Sequence, residues 1–204
     1  MAVNNYISTS CRISGNMAFK NGTVIFQNKN ARLQPFLISI YQYLNIPYPK
    51  FYKMDSLSKL GWLASEILLK EGGVPENYRS EEIGIVISNA NSSLDTDLKY
   101  FETMNDIPSP ALFVYTLPNI MIGEISIRNN FKGENAFFIF DQFNADFTQQ
   151  YVNDLLDNKG MKACICGWVD LLGEEYMAVL FLVEKKEGGE AARFTIENIV
   201  KLFN

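Results

Sequence analysis

Few residues in this chain could do covalent or acid-base chemistry. It contains no histidine in 204 residues, which removes the side chain most often used as a general base near neutral pH. Gln142 follows the apolar run Ala136 to Phe140, but its amide has no titratable proton and is a poor nucleophile. Thiolate-type catalysis therefore cannot start from that position. Asp141, Asp146 and Asp154 offer no second pair of carboxylates at a chemically sensible spacing, and capping and the helix dipole explain acidic residues at the start of a helix. Cys11, Cys164 and Cys166 form neither a disulfide framework nor the four-ligand set of a tetrahedral zinc site. Cys164 and Cys166 share one face of a strand and read as small buried hydrophobes. The sequence thus implies no metal and no cofactor.

Composition is that of a folded domain, with 48% hydrophobic, 20% charged and 13% aromatic residues and no repeat at a fixed period. Residues 1–204 are expected to form a single domain, large enough to bury roughly 70% of the surface of the unfolded chain. A formal net charge of −5 argues against a nucleic-acid partner, because phosphate binding needs clustered Lys and Arg. The pair Lys185-Lys186, followed at once by Glu187, reads as a solvated loop. Met1 to Ser10 lacks the make-up of a secretion signal, and no run reaches the ~20 apolar residues of a membrane span. A cytoplasmic location is expected.

Pattern places the elements. Tyr6 to Ile13 predicts an opening strand, and Asn21-Gly22 before Thr23 to Phe26 a hairpin. Residues 31–52, with prolines at 35, 47 and 49, read as an irregular insertion or connection holding a short helix within Phe36 to Leu44. From Asp55 onward, Leu57, Leu60, Leu63, Ala64, Ile67 and Leu68 recur on one helix face, capped by Asp55 or Ser56 and closed by Gly72-Gly73. Ile83 to Ile87 fits a strand buried on both faces. Helices are predicted over Thr96 to Asn105 and Thr116 to Phe131. Gly123 inside the second implies a close backbone approach, since a mid-helix glycine costs about 1 kcal/mol against alanine. Strands at Ala136 to Phe140, Ala163 to Val169 and Tyr176 to Glu184 alternate with helices at Asp146 to Asp157 and Thr195 to Phe203. The last two strands should be antiparallel neighbours. The class is α/β.

Several of these segments line up in order with one family. Lys53-Met54-Asp55-Ser56-Leu57-Ser58-Lys59-Leu60 resembles the Met-Asp-x-x-(Ser/Ala)-(Lys/Arg) entry to the first long helix of the β-ketoacyl-acyl-carrier-protein synthases. Phe113-Val114-Tyr115-Thr116-Leu117-Pro118-Asn119, continued by Gly123 to Ile127 and Lys132-Gly133-Glu134-Asn135, resembles the family's run through its Leu-Pro-Asn helix into a Gly-Pro-Asn turn. Ala163-Cys164-Ile165-Cys166-Gly167 and Met177 to Glu184 are similar to its closing strands. The resemblance covers Tyr6 to Glu184 and concerns only the family's N-terminal half. It implies a thiolase-like half, a three-layer αβα sandwich around a mixed, mostly parallel five-stranded sheet.

In that family the nucleophilic Cys lies nine residues after the glycine of the turn, which here is Gln142, and the resemblance implies that no catalytic residue is intact. The condensing His pair and a Lys come from a second half that this chain does not contain. Phe143-Asn144-Ala145 are also larger than the small residues after the family's nucleophile. Chain-length-factor subunits and decarboxylating loading domains resemble the Gln substitution, but the loading domains keep their histidines. The resemblance therefore implies a non-catalytic partner in fatty acid or polyketide-type acyl chain elongation. Ala136, Phe137, Phe138, Ile139 and Phe140, apolar on both faces, fit a buried central strand or, by the resemblance, a dimer contact across a two-fold axis. The implied partners are a second copy or a full-length ketosynthase, with an acyl carrier protein as a further one, although like charge between an acidic chain and an acidic carrier opposes docking. Two alternatives stand beside this reading. One is half of a split synthase (acyltransferase) whose histidines come from another chain, and the other is a repurposed thiolase-like fold with an unrelated small-molecule ligand.

Overall fold

Two tight turns start the chain. Strand β1 (Tyr6–Ser14) turns through Gly15-Asn16 into β2 (Met17–Lys20), and Asn21-Gly22 turns β2 into β3 (Thr23–Gln27). All four turn residues have positive φ, the backbone that matches the twist of a two-residue hairpin and that Asn and Gly adopt most readily. The computed structural model describes residues 5–70, 74–105, 107–185 and 191–204. After the hairpin come α1 (Leu33–Leu44), a 3-10 turn at Pro49–Lys53, α2 (Ser56–Leu69) and the short α3 (Val74–Asn77). Then follow β4 (Ile83–Asn89), α4 (Leu94–Thr103), α5 (Pro110–Val114), α6 (Ile120–Asn129) and β5 (Asn135–Ile139). The described chain closes with α7 (Ala145–Asn158), β6 (Ala163–Leu172), β7 (Glu175–Glu184), β8 (Ala192–Arg193) and α8 (Ile196–Phe203).

One sheet carries all eight strands in the order β3-β2-β1-β7-β6-β4-β5, with β8 added beside β1. Its central five, β1-β7-β6-β4-β5, are the mixed sheet expected: β1, β4, β5 and β6 point one way and β7 the other. Two differences follow from the hairpin and from β7. The hairpin β2–β3 and the two-residue β8 bring the strand count from five to eight. Among the described residues the β4–β5 and β4–β6 ladders are the parallel ones, because the reversed β7 makes both its own ladders antiparallel.

Side chains alternate across the sheet and feed two cores. Ala163 and Ile165 on β6, with Leu180 and Leu182 on β7, join α1, α2 and α6 on one face. Cys164, Cys166, Val179, Phe181 and Val183 face the other way, onto α7 and α8. Helix α2 is buried on 12 of its 14 residues, as a helix sandwiched between a sheet and other helices must be. Of the two caps expected for it, Asp55 serves, accepting the backbone N–H of Ser58 at 2.9 Å. The expected stop at Gly72-Gly73 lies outside the described residues. Burying a large side chain such as Trp62, Phe36 or Phe51, all fully enclosed, is worth about 1.5–3 kcal/mol each.

The helix expected over Thr116 to Phe131 is shorter, Ile120–Asn129, and a separate helix not expected from the sequence, α5, precedes it. Ser109 caps α5 by accepting from the Leu112 N–H, and α6 starts only at Ile120, because Pro118 disfavours a helical backbone at the residue before it. Gly123 is not the close approach predicted, since a Cβ there would meet nothing within 4 Å. Gly61 on α2 is, for its Cβ would lie 2.1 Å from the Met121 Sδ of α6. Residues 31–52 hold the twelve-residue α1. Among the described residues no helix is long and apolar enough to cross a membrane.

Candidate functional site

Strand β4 is a switch point in the sheet, because the chain leaves it to form β5 on one side and later β6 on the other. In open α/β sheets the crevice beyond the carboxyl ends of such strands is where ligands bind. Two loops meet there. The β4–α4 loop is held by Asp170 of β6, whose carboxylate accepts from the backbone N–H of Ala90 (3.1 Å) and Asn91 (3.0 Å) and from the Asn91 amide (2.8 Å). Within that loop the Asn89 side chain accepts from the Ser92 N–H and donates to the Ser92 carbonyl. Ser92 is held at φ +50°.

The second loop, residues 140–144, joins β5 to α7. Its start is tied to β4 by the Phe140 N–H donating to the Asn89 carbonyl at 3.0 Å. Its end is the N-cap of α7, where the Asn144 side chain accepts from the Phe147 N–H at 2.9 Å. Gln142 lies between these two anchors, exposed, in an open depression lined by Phe140, Asp141, Phe143, Asn144 and Ala145. Phe143 beside it points inward, stacked on Phe203 of α8 at 4.3 Å and edge-on to Trp168 at 6.2 Å. The Gln142 amide can donate and accept a hydrogen bond but cannot carry an acyl group as a thiol can.

The remaining chemistry-bearing groups do not converge on it. Asp146 accepts from Gln150 and Asp154 from Asn158, each one helical turn along α7. No group of His, Cys, Asp and Glu among the described residues could hold a metal ion. All three thiols are buried, and desolvation pushes each above the ordinary thiol range. Cys164 and Cys166 share one face, as their spacing predicts, and pack toward α7 and α8.

Among the described residues β5 lies at the sheet edge, with a ladder to β4 alone, so the apolar character of Ala136 to Phe140 is not that of a central strand. Phe138 packs against Phe147 (4.7 Å) and Tyr151 (5.1 Å) of α7, whereas Phe137 turns to the opposite core. Ile139 is 54% exposed. Sequence reasoning missed a second apolar surface, formed by Leu98, Phe101, Met104, Ile107, Phe113 and Leu117 on α4, on α5 and in the segments flanking α5, each more than half exposed. The signal was there: a helical face of large apolar residues beside Pro108 and Pro110, with nothing later in the chain predicted to cover it.

No family model matches this chain, and no curated protein does. Solved structures do. The ishigamide ketosynthase/chain length factor superimposes with a TM-score of 0.64 at 17% identity, over 93% of this chain and 64% of that one. The fold is that of the ketosynthases and chain length factors. A type II polyketide synthase acyl-carrier protein in complex with its ketosynthase bound to the hexaketide gives 0.60 at 14% identity, covering 90% of this chain and 63% of the other. A ketosynthase in complex with its chain length factor from Xenorhabdus doucetiae gives 0.58 at 13% identity. The ketosynthase-like fold here thus spans less than two thirds of the first two matched chains. In the Xenorhabdus complex it spans 81% of the matched chain, which is accordingly not much longer than this one.

Proposed function

We propose that this chain is a catalytically incomplete, chain-length-factor-like subunit that assembles with a full-length ketosynthase in fatty acid or polyketide-type acyl chain elongation. The observation that carries the reading is the Gln142 amide between β5 and α7, at the crevice end of the sheet, in a chain with no histidine. A thioester cannot form at an amide, and no imidazole is present to stabilise the charge of a condensation intermediate. In this reading the 204 residues form one ketosynthase N-terminal-like domain, working in the cytoplasm, where its buried thiols stay reduced.

The partner surface in this reading is β5. Ala136 to Phe140 contains no charge, no proline and no bulge, so it lacks the devices by which natural edge strands avoid pairing. Both sheet faces are already covered by the chain's own helices. Apolar surface remains exposed at Ile139 and along α4–α5.

Co-expression with a full-length ketosynthase of the same host, followed by size-exclusion chromatography with light scattering, tests this. The expected result is a stable complex that Ile139→Lys disrupts, with condensation of malonyl and acyl thioesters by the complex and none by the chain alone. A monomer at tens of micromolar with no co-eluting synthase, or turnover by the purified chain, overturns it.

A further inference from the structure

At the carboxyl end of β6 the first turns of α1 and α2, the helix α4 and the β6–β7 turn meet around one continuous set of polar side chains. Gln34 of α1 donates to the Ser56 Oγ of α2 at 2.7 Å and accepts from the Lys59 Nζ at 3.4 Å. Lys99 of α4 approaches the same Ser56 Oγ at 3.4 Å and donates to Asp95 at 2.6 Å. Asp95 in turn accepts from the Gly173 N–H of the β6–β7 turn at 3.0 Å. Beside them Asp55 holds the Ser58 N–H with one carboxylate oxygen and the Thr96 hydroxyl with the other.

The two lysines of this set are placed differently. Lys99 is exposed and has its ion pair with Asp95. Lys59 is half-buried and makes no ion pair among the described residues. Its ammonium has the Gln34 amide oxygen and the face of the Phe51 ring, 5.9 Å from Nζ to centroid. One long hydrogen bond and a ring face replace less of an ammonium's hydration than a carboxylate would. Burial accordingly lowers the Lys59 pKa below the ordinary lysine value; the Asp55 charge opposes this and the Lys99 charge adds to it. A lysine desolvated beside a second cation is the arrangement that makes an amine nucleophilic near neutral pH.

We propose that Lys59 is this chain's acyl-accepting amine, a site of Nε-acylation by small acyl thioesters. The unprotonated Nζ attacks the thioester carbonyl carbon, a C–N bond forms, and the C–S bond breaks with its electron pair leaving on sulfur. The proton lost by nitrogen passes through water to that thiolate, so the products are an Nε-acyl amide and a free thiol, with no other reactant. The half-buried position of Lys59 limits the acyl group to a small one. The event is stoichiometric, because the amide formed is stable, and it is distinct from turnover. It removes the Lys59 charge and leaves the Asp55 cap of α2 in place.

The probe is the acetyl thioester of N-acetylcysteamine, incubated with the full chain at pH 7.5 and read site by site by peptide mass spectrometry. Lys59 should be acetylated several-fold faster than Lys53, exposed on the adjoining turn, and the midpoint of its pH–rate curve should lie below the ~10.4 of an unperturbed lysine. Removing charge from the two neighbours should act in opposite directions. Lys99→Met should slow the reaction at Lys59 by about twofold or more, and Asp55→Asn, which keeps an oxygen for the Ser58 N–H, should speed it by a similar factor. A merely structural role gives no such opposition of sign. Lys59 labelled no faster than Lys53, a midpoint at or above the ordinary value, or both variants moving the rate the same way would each overturn the proposal. The choice of a thioester rests on the elongation-partner reading, so ketosynthase co-elution is measured on the same samples. Labelling without co-elution leaves Lys59 assigned and removes the assembly reading, and co-elution without labelling removes Lys59 alone.

Discussion

Phe143 and Phe203 stack face to face, ring centroids 4.3 Å apart and planes within 10° of parallel. The contact joins the loop that carries Gln142 to α8, whose Ile199 is fully buried in the same core. Because both rings are half-buried, Phe203→Ala should cost about 1–3 kcal/mol, less than truncation of a fully enclosed ring. A double-mutant cycle with Phe143→Ala, read by urea denaturation, should return a coupling of about 0.5–1.5 kcal/mol. Strictly additive effects would mean that α8 does not hold the loop.

The two glycines of the α2–α6 pair should respond in opposite directions. Gly61→Ala places a methyl 2.1 Å from the Met121 Sδ, and such overpacking costs about 1–3 kcal/mol even against a flexible thioether. Gly123→Ala meets open space and should stabilise by about 0.5–1 kcal/mol through helix propensity. Thermal melts of the two variants check this, and a stabilised Gly61→Ala would contradict the packing described.

The contrast shows where the sequence was legible. Periodicity located α2 and its Asp55 cap because an apolar face and a capping carboxylate are local properties. Which glycine faces a neighbour depends on how helices are rotated against each other, so Gly61 and Gly123 look alike in one dimension. Pro118 delays the start of α6 to Ile120 by its effect on a single backbone angle, which the apolar pattern running across it masked. The edge position of β5 and the pairing of Phe143 with Phe203 are matters of strand order and long-range contact. That Gln142 follows a strand was legible from the apolar run before it, whereas the anchoring of its loop by Asn89 and Asn144 was not.

The buried thiols predict alkaline sensitivity. Cys11, Cys164 and Cys166 are held protonated in the fold, chiefly by desolvation, whereas in the unfolded chain a thiol ionises near 8.5. A group whose folded value is raised contributes stability that is complete below the unfolded value and is lost as pH climbs toward the folded one. Stability should be flat through pH 7.5 and then fall by about 1.4 kcal/mol per pH unit for each ionising thiol. Urea midpoints between pH 7.5 and 9.5 should decline, and less so for Cys164→Ala/Cys166→Ala measured against its own value at pH 7.5.

Placing a thiol at residue 142 should give reactivity without catalysis. Gln142 is exposed in an open depression, so Gln142→Cys should react with a disulfide reagent at pH 8 while the three native thiols stay silent until the protein unfolds. No histidine or cysteine stands by to activate it, and the carboxylates of Asp146 and Asp154 are tied to their own helix. Acyl transfer from an acyl thioester to this thiol should therefore run at the rate of a free surface cysteine, and no condensation product should appear. Intact-protein mass spectrometry separates the two events. Rapid acylation at residue 142 would show that the loop has an oxyanion-stabilising geometry, and would count against the non-catalytic reading.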